Sequence, residues 1–117
     1  MSGTAKISLT AEERQVLKKT VVFFKDPDRW SCKSTACTDD YQIVELFNAD
    51  ATRFDPIGGM ALHVLPTPNA DNSEHALTQA NELAEKIMPG VDIVRYARKA
   101  GRAKFVRKLE RILSENH

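Results

Sequence analysis

Cysteine is scarce in this chain: Cys32 and Cys37 are the two among 117 residues. That excludes a disulfide framework. Residues 1–8 carry no apolar signal core, so the expected compartment is the cytoplasm, where both thiols stay reduced. No apolar run approaches the roughly 20 residues that span a bilayer, so no membrane partner is expected. Glycine is sparse too, and Gly58-Gly59 alone is neither a phosphate loop nor a dinucleotide fingerprint. No cofactor is implied. With 42% apolar and 28% charged residues the chain has the composition of a folded domain and not of a disordered one. At 117 residues it is long enough to bury about two-thirds of its unfolded surface without a metal or covalent staple.

The pattern of what is present predicts an α+β, mostly helical domain: four or five helices packed with a small β-hairpin at about residues 30–47. Residues 1–9 are expected as a flexible arm and residues 10–117 as one globular domain. Thr10 and Glu13 form a capping box, and Val16, Leu17, Thr20, Val21 and Phe24 recur at helical spacing, giving a first helix over about 11–25 that Pro27 stops. Trp30, Cys32 and Ser34 then alternate with polar neighbours, Asp39-Asp40 suits a tight turn, and Tyr41, Ile43, Val44 and Leu46 follow. Asp55-Pro56 starts a second helix whose apolar face is Ile57, Met60, Ala61, Val64 and Leu65. Each of Gly58 and Gly59 costs about 1 kcal/mol against alanine in a helix interior, so their presence predicts close approach to a neighbouring element. Asp71 with Glu74, or Ser73 itself, is the expected cap of a third helix carrying Ala76, Leu77, Ala80, Leu83, Ala84, Ile87 and Met88. Asp92 caps a short helix over 93–100, Gly101 interrupts, and a last helix over about 102–114 carries Phe105, Val106, Leu109, Ile112 and Leu113.

Laid out this way, the chain resembles a family of small domains from bacteria and their phages. That family has an N-terminal helix running into a tryptophan segment, an alanine-x-arginine-aromatic stretch leading into a Gly-Ala-Leu-like helix, and an aromatic and Gly-Arg turn before a closing helix. The matching residues are Trp30, the run from Ala51 through Arg53, Phe54 and Gly58 to Leu62, then Tyr96, Gly101-Arg102, Val106 and Leu109. The chain departs from the pattern in having Gly59-Met60 where Gly-Ala is expected. The resemblance spans about 11–114 and implies one compact domain of mobile-element origin, with no activity attached.

Charge is the most informative feature. The net charge of +1 hides two opposed stretches. Residues 39–92 carry ten acids against Arg53 and Lys86, a balance of −8. Residues 95–117 carry Arg95, Arg98, Lys99, Arg102, Lys104, Arg107, Lys108 and Arg111 against Glu110 and Glu115, a balance of +6. A one-sided field of this kind steers and binds an oppositely charged surface. Arg98, Arg102, Lys104, Arg107, Lys108 and Arg111 are therefore the candidate partner-binding residues. A protein partner is the first expectation and nucleic acid the second, since a row of cations neutralises phosphates equally well. Against both stands the plain reading of a solvated face, or one paired with the acidic stretch.

The other constellations are weaker. Cys32, Cys37, His63 and His75 add up to a Cys₂His₂ set, but the two histidines stand twelve apart on different predicted helices, so no local zinc knuckle forms. A thiol enzyme built on Cys37 and His63 would need an oxyanion hole and an orienting third group, and no motif supplies them. Asp26, Asp28, Asp39 and Asp40 are turn formers. Trp30 is expected as a core anchor, Arg53 as an internal ion pair with Asp50 or Asp55, and Val22 and Phe23 as an apolar patch off the first helix's main stripe. The sequence thus reads as a non-enzymatic binding module acting through a basic C-terminal helix.

Overall fold

The computed structural model describes residues 8–31, 34–65 and 70–115. The protein is α+β and mostly helical, and its described residues form five α-helices and one short antiparallel strand pair: α1 (Ala11–Phe24), β1 (Ala36–Cys37), β2 (Arg53–Phe54), α2 (Pro56–Ala61), α3 (Ser73–Ile87), α4 (Ile93–Ala100) and α5 (Arg102–Glu115). The predicted arm over 1–9 lies largely outside the described residues, although Leu9 packs on the core.

Helix α1 starts as its sequence dictates. The Thr10 hydroxyl accepts from the Glu13 amide (3.1 Å), and Glu13 Oε1 accepts from the Thr10 amide (2.8 Å). Val16, Leu17, Thr20, Val21 and Phe24 are all buried. The one polar member, Thr20, donates its hydroxyl to the Val16 carbonyl at 2.7 Å, so its burial leaves no unpaired group. Burial alone would raise the Glu13 carboxyl. The Lys86 ammonium at 2.7 Å and the Thr10 bonds together outweigh it and hold that carboxyl below its usual range, tying α1 to α3.

The antiparallel pair differs from the predicted hairpin in its second strand. Asp39-Asp40 does form the turn, closed by the Tyr41 amide on the Thr38 carbonyl (2.9 Å), with Tyr41 at φ 64°. The segment after it, however, contributes a single bridge, Ile43 to Cys37. The strand that completes the ladder is β2, with Ala36 opposite Phe54 and Cys37 opposite Arg53. Phe54 is buried while Ile43 stays 78% exposed, and the Val44 amide still donates to the Ala36 carbonyl (3.2 Å).

Asp55 caps α2 by accepting from the Gly58 amide at 2.7 Å, with Pro56 in the first turn. Every residue of α2 is buried, and it packs chiefly on α3, whose inner face is built from the small residues Ala76, Ala80 and Ala84 with Leu83 and Ile87. The two glycines explain how α2 sits so deep. A Cβ on Gly58 would run into the Thr35 carbonyl, and one on Gly59 into the Phe24 ring.

The predicted continuation of this helix to Leu65 does not occur. His63 Nδ1 donates to the Gly59 carbonyl (2.7 Å), the acceptor its own amide would use in a longer helix, and that amide turns to the Met60 carbonyl (3.0 Å) instead. Nor is α3 capped as expected. Its cap position is Asn72, at φ −104° and ψ 7°, and this residue makes no side-chain capping bond. A capping side chain reaches the first-turn amides from extended backbone, and the 3₁₀ turn Ala70–Asn72 that leads into α3 does not supply it.

Asp92 caps α4 through the Val94 and Arg95 amides (3.1 and 3.2 Å). Gly101, at φ 91°, makes the corner into α5 that a residue with a side chain would strain to adopt. Phe105, Val106, Leu109 and Ile112 then pack α5 against the core. An aromatic cluster closes this end: Phe24 lies 5.1 Å from Trp30 and 6.0 Å from Phe105, with Trp30 5.6 Å from Phe105. Trp30 is half-buried and packs against the core, as expected.

Candidate binding face on helix α5

Burying Phe105, Val106, Leu109 and Ile112 leaves the complementary positions of α5 facing outward. Those are Lys104, Arg107, Lys108 and Arg111, which line a shallow groove of about 360 Å³ together with Tyr96 of α4. The corner at Gly101 folds α4 back on α5 and brings Tyr96 beside the cations. At 1.5 Å per residue the four cationic side chains start within about 10 Å along the helix axis, comparable with the Debye length of about 8 Å at physiological salt. They repel one another, and an anion in the groove would relieve that repulsion.

The acidic stretch does not neutralise them. Ion pairs among the described residues include Lys25–Glu110, Arg29–Asp26, Arg53–Asp39, Lys86–Glu13 and Arg111–Glu115. None reaches Lys104, Arg107 or Lys108. The Arg111–Glu115 pair is one helical turn apart at 3.7 Å with both side chains at least half exposed, a geometry that contributes little in water.

The remaining two candidate cations are placed differently. Arg102 is half-buried, and its Nη1 donates to the Phe24 carbonyl (2.9 Å) and the Lys25 carbonyl (3.4 Å). It satisfies the open carbonyls at the C-terminus of α1, where the helix dipole favours a cation, and it does not line the groove. Arg98 lies on α4 near the buried carboxylate of Asp55. Burial pushes that carboxyl up, while the Gly58 and Ile57 amides and the Arg98 charge act in the opposite sense.

Tyr96 is the residue sequence reasoning missed as part of this face. It marks the resemblance pattern, but its place beside α5 depends on the α4–α5 corner, which helical periodicity does not encode.

The other candidates separate. Cys37 is buried with its thiol 3.6 Å from Ser31 Oγ, Cys32 lies outside the described residues, and no three metal-ligating side chains cluster among the described residues. Arg53 pairs with neither Asp50 nor Asp55. Asp55 is committed to capping α2, and other groups serve Arg53: Nε is 3.9 Å from Asp39 and the guanidinium 5.0 Å from the Tyr41 ring centre in the turn at 38–41, while Nη1 donates to the Trp30 carbonyl at 3.4 Å. Val22 is 69% exposed and borders a shallow apolar depression with Lys18, Lys19, Phe23 and His63. A polar cleft of about 470 Å³ between α1 and α3 holds Glu12, His75, Gln79 and Glu82 around the Glu13–Lys86 pair.

Burial depresses the pKa of His63, and the nearby Lys19 charge adds to this against the Gly59 bond. The unfolded chain, with a histidine near the ordinary value of about 6.5, therefore takes up this proton first. Stability is expected to fall as pH drops below about 6.5, because there the unfolded state binds more protons. Urea midpoints at pH 7.5 and pH 5.0 test this: wild type should lose more than His63→Gln, and equal losses would remove His63 as the cause.

No family model, curated protein or solved structure matches this chain. No helix of the described residues is long and apolar enough to cross a membrane.

Proposed function

We propose that this protein is a non-enzymatic binding module of the cytoplasm, phage- or prophage-derived, that contacts an anionic macromolecular partner through the basic face of α5. The supporting observation is that Lys104, Arg107, Lys108 and Arg111 share one groove, with the first three unpaired among the described residues. The mobile-element origin rests on the resemblance pattern from Trp30 to Leu109 alone. An acidic protein surface suits such a face. Nucleic acid is the second reading, and Tyr96 beside the cations favours it, because an aromatic flanked by cations is what a base and its phosphate require.

Retention on a heparin resin tests the shared part of both readings. Wild type should elute well above physiological salt, even though its net charge is only +1. Replacing Lys104, Arg107, Lys108 and Arg111 by glutamine should abolish retention, whereas Lys18→Gln with Lys19→Gln should leave it intact. If the fourfold variant elutes with wild type, or wild type is not retained, α5 is not the binding face.

A further inference from the structure

We infer that the ligand of this groove is single-stranded nucleic acid, bound with little sequence dependence by the α5 cations with a base stacked on Tyr96. This rests on the anionic-partner reading and names the partner class.

The first support is what the groove contains. Its lining is four cations and one tyrosine. Protein interfaces centre on desolvated apolar and aromatic anchors and are depleted in lysine. The large exposed hydrophobics of the described residues are Val22, Tyr41, Ile43 and Val91, and none of them lines this groove. Beside the Tyr96 ring a protein partner would meet chiefly charge, with no large exposed aliphatic side chain to dock on. A polyanion needs no such centre, since phosphate neutralisation with counterion release supplies its affinity.

The second support is the tyrosine. A duplex hides its base faces and would gain nothing from an aromatic ring, whereas an unpaired base stacks on one at about 1–3 kcal/mol. Tyr96 is half-buried and packed against the core while it borders the cations. The third is the missing reader. No asparagine, glutamine or acidic side chain lines the groove, so adenine and cytosine edges have no reader there, and only guanine could be read, by the arginines and lysines. Cations, an aromatic and no reader for adenine or cytosine match single-strand binding with little sequence dependence.

The test is fluorescence anisotropy of a labelled mixed-sequence oligonucleotide, as single strand and as duplex, with polyglutamate as an anion lacking bases. Wild type, Tyr96→Phe, Tyr96→Leu and the fourfold glutamine variant are compared, each checked by its thermal melt. Leucine keeps an apolar side chain on the core and removes the ring with its hydroxyl, and phenylalanine removes the hydroxyl alone. The single strand should bind at least about fivefold tighter than the duplex. Neutralising four phosphates should weaken its binding roughly 50-fold between 50 and 200 mM salt. Tyr96→Phe should bind as wild type, and Tyr96→Leu should lose about fivefold or more on the single strand alone.

Equal affinity for strand, duplex and polyglutamate, with Tyr96→Leu unchanged, would overturn the single-strand assignment while leaving the anionic-partner reading in place. Failure of the fourfold variant to lose binding, or no binding at 50 mM salt, would overturn both.

Discussion

Alanine at Gly58 is expected to destabilise this protein by about 3 kcal/mol or more, the upper range for overpacking a filled site. That corresponds to a fall in Tm of roughly 12 °C for a domain of this length. Helix propensity says the reverse, since alanine is favoured over glycine by about 1 kcal/mol in a helix interior. The conflict is settled by what a methyl group would meet. At Gly58 it is the carbonyl of Thr35, a backbone atom in the segment that leads into β1. That segment also accepts a hydrogen bond from the Asp55 amide at the start of α2 (3.4 Å), so it cannot retreat without loosening the junction. Thermal unfolding followed by circular dichroism decides the matter. An unchanged or raised Tm would mean that α2 does not approach the chain as closely as described.

Phe24→Ala should cost about 3–5 kcal/mol, as large-to-small changes of fully buried aromatics do. Phe24 is fully buried and joins α1 to three partners: Trp30 on its edge, Phe105 of α5, and the backbone of α2 at Gly59. Trp30 is the chain's single tryptophan, so loss of Phe24 should also shift its emission toward longer wavelength in the folded state. The same contact predicts coupling. Gly59→Ala alone should destabilise by about 1–3 kcal/mol because its methyl strikes the Phe24 ring. In the Phe24→Ala background that obstacle is gone, so the two losses should fall short of additive by about 1 kcal/mol or more. Denaturant unfolding of wild type, both single variants and the double variant closes the cycle, and strict additivity would contradict the packing of α2 on α1. The Gly58 and Gly59 variants thus differ in kind. One meets backbone that has no other place, the other a side chain that can be cut away.

Much of this architecture is legible in the sequence because local interactions determine it. Thr10 with Glu13, Asp55 with Pro56, and Asp92 are capping signals whose partners lie within three residues, and each is realised as its pattern predicts. The 3–4 spacing of Val16 to Phe24 and of Phe105 to Ile112 fixes which faces of α1 and α5 are buried, and with the second the outward row of Lys104, Arg107, Lys108 and Arg111. Even the two glycines announced close packing, because their propensity cost needed a compensating contact.

Only the tertiary structure decided the rest, and most of the deciding partners are distant along the chain. The ladder along Ala36 and Cys37 is completed by Arg53 and Phe54, while residues 41–47 add the Ile43–Cys37 bridge and a bond from the Val44 amide to the Ala36 carbonyl. Arg53 turns to Asp39 and Tyr41 because Asp55 is already committed to its cap. Arg102 belongs by sequence to the basic row, yet it closes the end of α1 from 78 positions away. Tyr96 stands beside the cations because Gly101 folds α4 onto α5. Periodicity and capping act over one or two helical turns, so the sequence determined the helices and the faces they bury. Which faces meet, and which polar groups remain for a ligand, was set by contacts that exist only once the chain is packed.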